Sequence, residues 1–296
     1  MNILLFGKNG QVGWELQRSL APLGNVIALD RHSQNYCGNF ENPEGIAETV
    51  RQLKPAVIVN ATAYTAVDKA ESEPEKAELI NATAVAALAK AAEEVGAWLV
   101  HYSTDYVFNG TGETPWCEND ATAPLNIYGK TKLAGEQAIA QHTTRYLIFR
   151  TSWVYAAKGN NFAKTMVRLA LERETLSVID DQFGAPTGAD LIADSSAHAI
   201  RTALNKPEVS GLYHLVASGT TSWHHYAGVV IEHVRGLGKE IKAQNIAAVP
   251  TSAFPTPAKR PRNSRLATEK FIQTFNLTLP QWESGVKRML DELYSA

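Results

Sequence analysis

Tyr128 and Lys132 stand four residues apart in the run Tyr128-Gly-Lys-Thr-Lys132, with Ser103 and Thr104 about two dozen positions upstream. At that spacing a tyrosine and a lysine share one helical face, one turn apart. An ammonium beside a phenol favours the phenolate. At an effective dielectric of about 20, two unit charges ~4 Å apart interact by about 4 kcal/mol. That is enough to bring a phenol of ordinary pKa about 10 toward neutral pH, where proton transfer is efficient. The same spacing is common on exposed helices, so the pair points to chemistry only in company. Lys130 lies off the Tyr128–Lys132 face and reads as solvated.

The company begins at the N-terminus. Met1-Asn-Ile-Leu-Leu-Phe6 is a short apolar run that reads as a buried strand. Gly7-Lys-Asn-Gly10-Gln11-Val12-Gly13 follows, and then Trp14–Leu20 with helical spacing. Glycines suit a backbone that must turn tightly and approach a pyrophosphate, which then sits at the helix N-terminus among unpaired N–H groups. A glycine-rich turn is a weak signal by itself; its place between strand and helix strengthens it. The next strand, Asn25–Asp30, ends in an acid where a carboxylate would hold the adenine-ribose 2′-hydroxyl of NAD. Asp30 also reads as a plain strand-end cap. Arg31 directly after it suits a 2′-phosphate instead, so the two residues pull cofactor preference in opposite directions.

The chain must position these groups. Strands are expected near Asn2–Phe6, Val26–Asp30, Ala56–Asn60, Trp98–Ser103, Tyr146–Arg150 and Leu176–Ile179. Helices are expected near Val12–Leu20, Pro43–Leu53, Glu75–Val95, Gly129–Ala140, Phe162–Glu172 and Leu191–Leu204, with a last one from about Pro280 to Leu293. Asn42 followed by Pro43 is a good helix start. This alternation predicts an α/β fold: a doubly wound, Rossmann-type parallel sheet with helices on both faces. From about Thr175 the order loosens, and prolines at 250, 255, 257 and 261 mark a long irregular stretch. Residues 1–155 are expected to form mainly the dinucleotide-binding domain. Residues 156–296 are expected to form mainly a smaller substrate-binding lobe, with elements returning to the sheet.

Ligands in such sheets bind beyond the carboxyl ends of the strands. The third strand ends in Asn60-Ala-Thr-Ala63-Tyr64-Thr65, small residues that let a dinucleotide lie close. The fourth ends in His101-Tyr102-Ser-Thr104-Asp105, which places Thr104 to hydrogen-bond a substrate carbonyl beside the Tyr128 helix. The fifth ends in Arg150-Thr-Ser-Trp153. Any single hydroxyl at a strand end is usually structural, and His101 on a buried strand reads as a satisfied core histidine. Convergence on one sheet edge is what makes a site.

Composition agrees. The 296 residues can bury a large core. A formal charge of -2 gives no case for nucleic acid or an anionic membrane as partner. No run of eighteen apolar residues occurs, so no transmembrane helix is expected. A strand from residue 2 leaves no room for a signal peptide. Cys37 and Cys117 lack metal-site spacing and are too few for a disulfide framework. A cytosolic protein is expected.

The glycine turn, Ser103-Thr-Asp-Tyr-Val-Phe108, Asn126-Ile-Tyr128-Gly-Lys-Thr-Lys132-Leu-Ala-Gly-Glu136 and Arg150-Thr-Ser-Trp153-Val-Tyr155 resemble the extended short-chain dehydrogenase/reductases. Asp181-Gln-Phe-Gly-Ala-Pro-Thr187 and Arg260-Pro-Arg-Asn-Ser-Arg-Leu266 narrow the resemblance to the dTDP-4-dehydrorhamnose reductase branch, over nearly the whole chain. The resemblance implies NAD(P)H-dependent reduction of the C4 keto group of dTDP-6-deoxy-L-lyxo-4-hexulose to dTDP-L-rhamnose. It implies that Tyr128 gives a proton to the C4 oxygen, that Lys132 binds the nicotinamide ribose and lowers the Tyr128 pKa, and that Thr104 orients the carbonyl. Gly7, Gly10, Gln11, Val12 and Gly13 would hold the pyrophosphate. Asn39-Phe40 matches the adenine contact, with Asn39 where the family usually has Asp. Ala63, Tyr64 and Thr65 would line the cofactor, with Tyr102 near it. Asp105 and Trp153 look like sugar contacts, and Arg260 like a diphosphate contact. Some members dimerise through acids around Mg²⁺; Glu15 and Glu292 are the candidates here, although Glu15 in a first helical turn also simply complements the dipole.

Two other functions share features with this one. A sugar-nucleotide epimerase or dehydratase of the same fold keeps its NAD bound and returns the hydride; it shares the Tyr and Lys. A non-catalytic regulatory subunit resembling that of methionine adenosyltransferase belongs to the same branch; an intact Thr104, Tyr128 and Lys132 argues against it.

Overall fold

The computed structural model describes residues 1–295. Five parallel strands, β1 (Asn2–Phe6), β2 (Asn25–Leu29), β3 (Val57–Asn60), β4 (Trp98–Thr104) and β5 (Tyr146–Thr151), and a sixth at Gly211–His214 form the central sheet. From one edge the order is Gly211–His214, β5, β4, β3, β1, β2. Strands covered on both faces read as continuous apolar runs, and β4 is buried at all seven positions.

Alternate residues of each strand supply the two faces. Ile3, Leu5, Val57, Val59, Val100 and Phe149 pack under helix α1 (Gln11–Leu20) and the helix Ala189–Asn205. Leu4, Phe6, Ile58, Leu99 and Ile148 pack under the helices Pro43–Leu53 and Ala84–Val95. Each such side chain, fully buried, stabilises by about 1.5–3 kcal/mol relative to exposure. The fold is therefore the doubly wound parallel sheet expected from the alternation.

The structure departs from the expected elements in four places. The expected helix Glu75–Val95 is broken: Pro74–Glu78 is α-helical, Leu79–Thr83 is a π turn and Ala84–Val95 is α-helical again. The π turn sets Asn81 inward, where its Oδ1 accepts from the Tyr64 N–H (2.8 Å) and its Nδ2 donates to the Thr131 hydroxyl (3.1 Å). The expected strand at Leu176–Ile179 lies outside the central sheet, paired in parallel with Asn245–Val249. The sixth place in the sheet belongs to Gly211–His214, which is too short for periodicity to reveal. The helices Trp223–Gly236 and Glu269–Phe275, also not expected, complete the second half of the chain. Trp223–Gly236 packs with Phe162–Glu172 and Trp282–Tyr294 around a core that includes Tyr226 and Trp282.

The helix Ile127–His142 bears the Tyr-Lys pair. Asn126 caps it, accepting from the Gly129 N–H (2.8 Å) and donating to the Lys259 carbonyl (2.8 Å). A bidentate ion pair fixes its middle to β5: Arg150 Nε–Glu136 Oε1 is 2.9 Å and Nη2–Oε2 is 2.7 Å, with both side chains 4% exposed. Removing one partner of such a pair leaves a buried, uncompensated charge. Arg150→Met is expected to lower unfolding free energy by about 3–5 kcal/mol in urea denaturation, with Arg150→Met/Glu136→Leu recovering part of the loss. A single-variant loss below about 1 kcal/mol would show that the pair is not desolvated.

Candidate active site

Gly7 adopts φ +89°, and a Cβ there would strike the Ala61 carbonyl at 2.7 Å. A Cβ on Gly13 would collide with the Gly7 carbonyl. The turn is thus closed to larger residues. It delivers the chain to Gly10, an N-cap with no side chain over the first N–H groups of α1. The N–H groups of Gln11, Val12 and Gly13, in the first turn, have no partner within the helix. Val12 packs onto the core beneath, while the Gln11 amide meets the Asn161 amide at 3.4 Å.

A groove of about 630 Å³ opens from this turn. It collects Gly7, Gly10, Asp30, Arg31, Asn39, Phe40, Ala63, Tyr64 and Thr65. The Thr62 hydroxyl, buried and without a protein partner, also lies along it. A groove with an uncapped helix N-terminus, a closed glycine turn and an orphaned hydroxyl fits a dinucleotide. Asp30 is heavily engaged. Burial works against its charge, but the His32 N–H (2.9 Å), the Lys8 ammonium (3.7 Å) and Ser33 hold its carboxyl below the usual value. Arg31 is exposed. Asn39 turns its Oδ1 back to the Glu41 N–H (3.0 Å), and Phe40 is core, edge-on to Phe6. Tyr64 gives its hydroxyl to Glu73 (2.8 Å).

At the end of β4 the sheet holds Lys132 Nζ, and Lys132 is not among the groups that shift the Tyr128 phenol in the protein without ligands. Its Nζ donates to the Tyr102 carbonyl (2.6 Å) and lies 3.1 Å from His101 Nε2. Burial instead pushes the Tyr128 phenol up to about 12, against the hydrogen bond with Thr104, and Asp105 adds to the rise. Burial also pulls Lys132 down to about 8, with Glu136 acting the other way. Tyr102 gives the site its carbonyl only; its ring lies in the core and its hydroxyl donates to Ser196 (2.8 Å). Thr104 Oγ1 donates to Asp105 Oδ1 (3.1 Å) and accepts from the Tyr106 N–H (3.2 Å). Tyr106 packs edge-on against Tyr128, with centroids 5.7 Å apart.

A second cavity, of about 1060 Å³, carries Lys259, Arg260, Arg262 and Arg265 on its rim. Only Arg260 was anticipated; the other two arginines sit in the same motif and were legible there. Arg260 is itself engaged, by two hydrogen bonds to Asp68 (3.2 and 2.7 Å). Trp153 holds a left-handed φ of +48° and stacks on Trp223 with centroids 3.6 Å apart. A bulky residue at positive φ stores strain that a functional position can justify. Glu15 pairs with Arg18 in its own helix (3.6 Å), and Glu292 is exposed near the end of Trp282–Tyr294. Among the described residues no group of three or more His, Cys, Asp or Glu stands close enough to hold a metal ion.

Asp105 is 2% exposed, and its Oδ2 has no partner. Burial raises its carboxyl to about 7, against hydrogen bonds from Ser264 and Thr104. The folded protein therefore binds this proton more tightly than the unfolded chain does. Stability is lost as pH rises from the ordinary carboxyl range toward 7, and the full penalty stands above it. Asp105→Asn is expected to gain stability relative to the parent across that window, with the difference flat above about pH 8. A difference that does not change with pH, followed by thermal denaturation, would place the charge in solvent.

The chain matches the model of the RmlD substrate binding domain over residues 1–295. It is 70% identical over 295 residues to a dTDP-4-dehydrorhamnose reductase of Shigella flexneri, covering 100% of this chain and 99% of that one. A dTDP-4-dehydrorhamnose reductase structure from Clostridium acetobutylicum superposes with a TM-score of 0.88 at 35% identity, covering 99% of each chain. One from Bacillus anthracis, in complex with NADP, gives 0.87 at 35% identity, covering 98% of this chain and 99% of that one. The chain therefore belongs to the RmlD substrate-binding domain family, within its dTDP-4-dehydrorhamnose reductases.

Proposed function

We propose that the protein reduces the C4 keto group of dTDP-6-deoxy-L-lyxo-4-hexulose to give dTDP-L-rhamnose, with reduced nicotinamide dinucleotide as the electron source. The observation that carries the reading is the pairing of a dinucleotide-sized groove with an arginine-rimmed cavity, linked by the Arg260–Asp68 ion pair, in a chain that also carries Thr104, Tyr128 and Lys132. The groove at the glycine turn suits a dinucleotide, and the arginine-rimmed cavity suits a nucleoside-diphosphate sugar. Thr104, Tyr128 and Lys132 stand at the ends of β4 and on the adjoining helix. The sheet and its glycine turn would take the cofactor, and the loops and helices after residue 155 would supply most of the sugar-nucleotide contacts.

The nicotinamide, when bound, supplies hydride. This chain's residues do the rest. The Thr104 hydroxyl orients the substrate carbonyl, Tyr128 delivers a proton to its oxygen, and Lys132 holds the nicotinamide ribose. A phenol pushed up to about 12 is poorly acidic as a ground-state group but remains fully protonated, which suits a donor to a developing alkoxide. Arg260 and its neighbours Arg262 and Arg265 would grip the diphosphate, and Asp105 and Trp153 would contact the sugar.

Homodimerisation and a cytosolic setting belong to this reading. No helix among the described residues is long and apolar enough to cross a membrane. Mg²⁺ finds less support: a hard cation asks for about six oxygens, and Glu15 is already paired with Arg18.

Tyr128→Phe keeps the packing and removes the proton, so kcat is expected to fall ~10²–10⁴-fold with cofactor affinity nearly unchanged. A variant retaining more than about a tenth of parental kcat, in a coupled assay with the ketosugar made in situ, would remove Tyr128 from the acid's role.

Both cofactors are expected to work. Asp30 disfavours a 2′-phosphate and Arg31 favours it, but Asp30 is already engaged by Lys8, His32 and Ser33, and the exposed Arg31 is screened. NADH and NADPH are expected to give kcat/KM within ~10-fold, about 1.4 kcal/mol. Arg31→Ala is expected to weaken NADPH use and spare NADH. A parental preference beyond about a hundredfold at moderate salt would show that one of the two residues does not meet the ribose.

A further inference from the structure

His101 is wholly buried on β4, and its ring touches two groups whose roles can be assigned by counting hydrogens. The Thr62 N–H donates to Asn60 Oδ1 (3.0 Å), which fixes the Asn60 amide. Its Nδ2 then faces His101 Nδ1 at 3.0 Å, and an amide nitrogen can only donate. Nδ1 is therefore the acceptor. A neutral imidazole has one proton, so it sits on Nε2, 3.1 Å from Lys132 Nζ. The ring is neutral because burial opposes its charge.

An ammonium on Lys132 would face this N–H with another N–H. A free amine would not. It would donate one hydrogen to the Tyr102 carbonyl at 2.6 Å, accept the His101 proton on its lone pair, and keep one hydrogen for the site. The carboxylate that might hold an ammonium, Glu136 on the same helix, is spent on Arg150 from β5. Asp105, after β4, is turned to Thr104. Of the charged groups on the short helix Val67–Ala70, Asp68 is bound to Arg260, and Lys69 is bound to Glu73. On Ala84–Val95, Glu93 takes Thr143 and Glu94 takes Arg51.

We propose that His101 is a positioning residue: its Nε2–H, oriented by Asn60, stabilises the free amine of Lys132, so that Lys132 takes up a proton as the dinucleotide binds. The proposal rests on the reading of Lys132 as the cofactor-ribose ligand. Ribose hydroxyls and the anionic dinucleotide accept from an ammonium, so the bound state favours the charged form and the free state does not. The low proton affinity that burial gives Lys132, near pH 8, places this exchange in an accessible range.

The test is NADPH binding to the full chain from pH 7 to 9.5 by calorimetry, in two buffers of different ionisation enthalpy. One proton linked at about pH 8 weakens affinity about tenfold between pH 7 and pH 9, with matching proton uptake. His101→Gln, whose carboxamide oxygen accepts from an ammonium, is expected to flatten the change to less than about threefold. Unchanged pH dependence in His101→Gln, or none in the parent protein, overturns the proposal. If the variant does not fold, ¹⁵N spectra of the parent decide the matter: a proton on His101 Nε2 supports the proposal and a proton on Nδ1 overturns it. Lys132→Met separates the two readings. Loss of NADPH affinity keeps Lys132 as the cofactor ligand whatever His101 does, whereas unchanged affinity removes that role and the proposal with it.

Discussion

A lysine 2% exposed, with no carboxylate of its own, is the constraint around which the site is organised. Taking an ammonium out of water costs several kcal/mol unless partners replace the lost solvation. The sheet supplies those partners as neutral groups. β4 gives the Tyr102 carbonyl and the His101 ring, and β3 gives Asn60 to fix that ring. β5 gives Arg150, which takes Glu136 out of play. Parallel register makes this possible, because Asn60 pairs with His101 across β3 and β4, and Ser103 pairs with Arg150 across β4 and β5. Neighbouring strands thus present their groups to one helix at one depth.

Burial acts in the same direction on the rest of the set. It raises Tyr128, raises Asp105 and lowers Lys132, so each is pushed toward its neutral form. A site of neutral groups in a low-dielectric setting strengthens whatever charge arrives later. Preorganised donors gain most where charge develops in the transition state. In the protein without ligands, burial therefore works against the ionisation that the Tyr128–Lys132 spacing suggests. A cofactor and a ketone would have to complete it.

Much of this was legible in the chain. The period-free apolar runs of β1, β3 and β4, the glycine turn and the Tyr128–Lys132 spacing each follow from one local rule, and each located its element. What escaped depends on partners far apart in sequence. Gly211–His214 is a strand only because β5 offers an edge. The π turn at Leu79–Thr83 shows its purpose only when Asn81 is seen bridging Tyr64 and Thr131. Spacing placed Tyr128 and Lys132 on one face but could not show that Tyr102 and His101 would claim the lysine. Nor could it show that the Tyr102 ring points to Ser196 while its carbonyl faces the site.

Arg260 links the two cavities. It belongs to the rim of the larger cavity, yet its guanidinium grips Asp68, just after the loop 63–66 that lines the cofactor groove. The Arg260 guanidinium holds the Asp68 carboxyl below its usual range. Both side chains keep a quarter or more of their surface in solvent, at 26% and 40%. A pair so exposed contributes about 0–1 kcal/mol. A diphosphate offers Arg260 a stronger, bidentate partner, so on the proposed function its arrival would displace Asp68 at little cost. The loop that lines the groove would then lose a tie to the rim of the larger cavity, so a ligand in one cavity would be felt at the edge of the other.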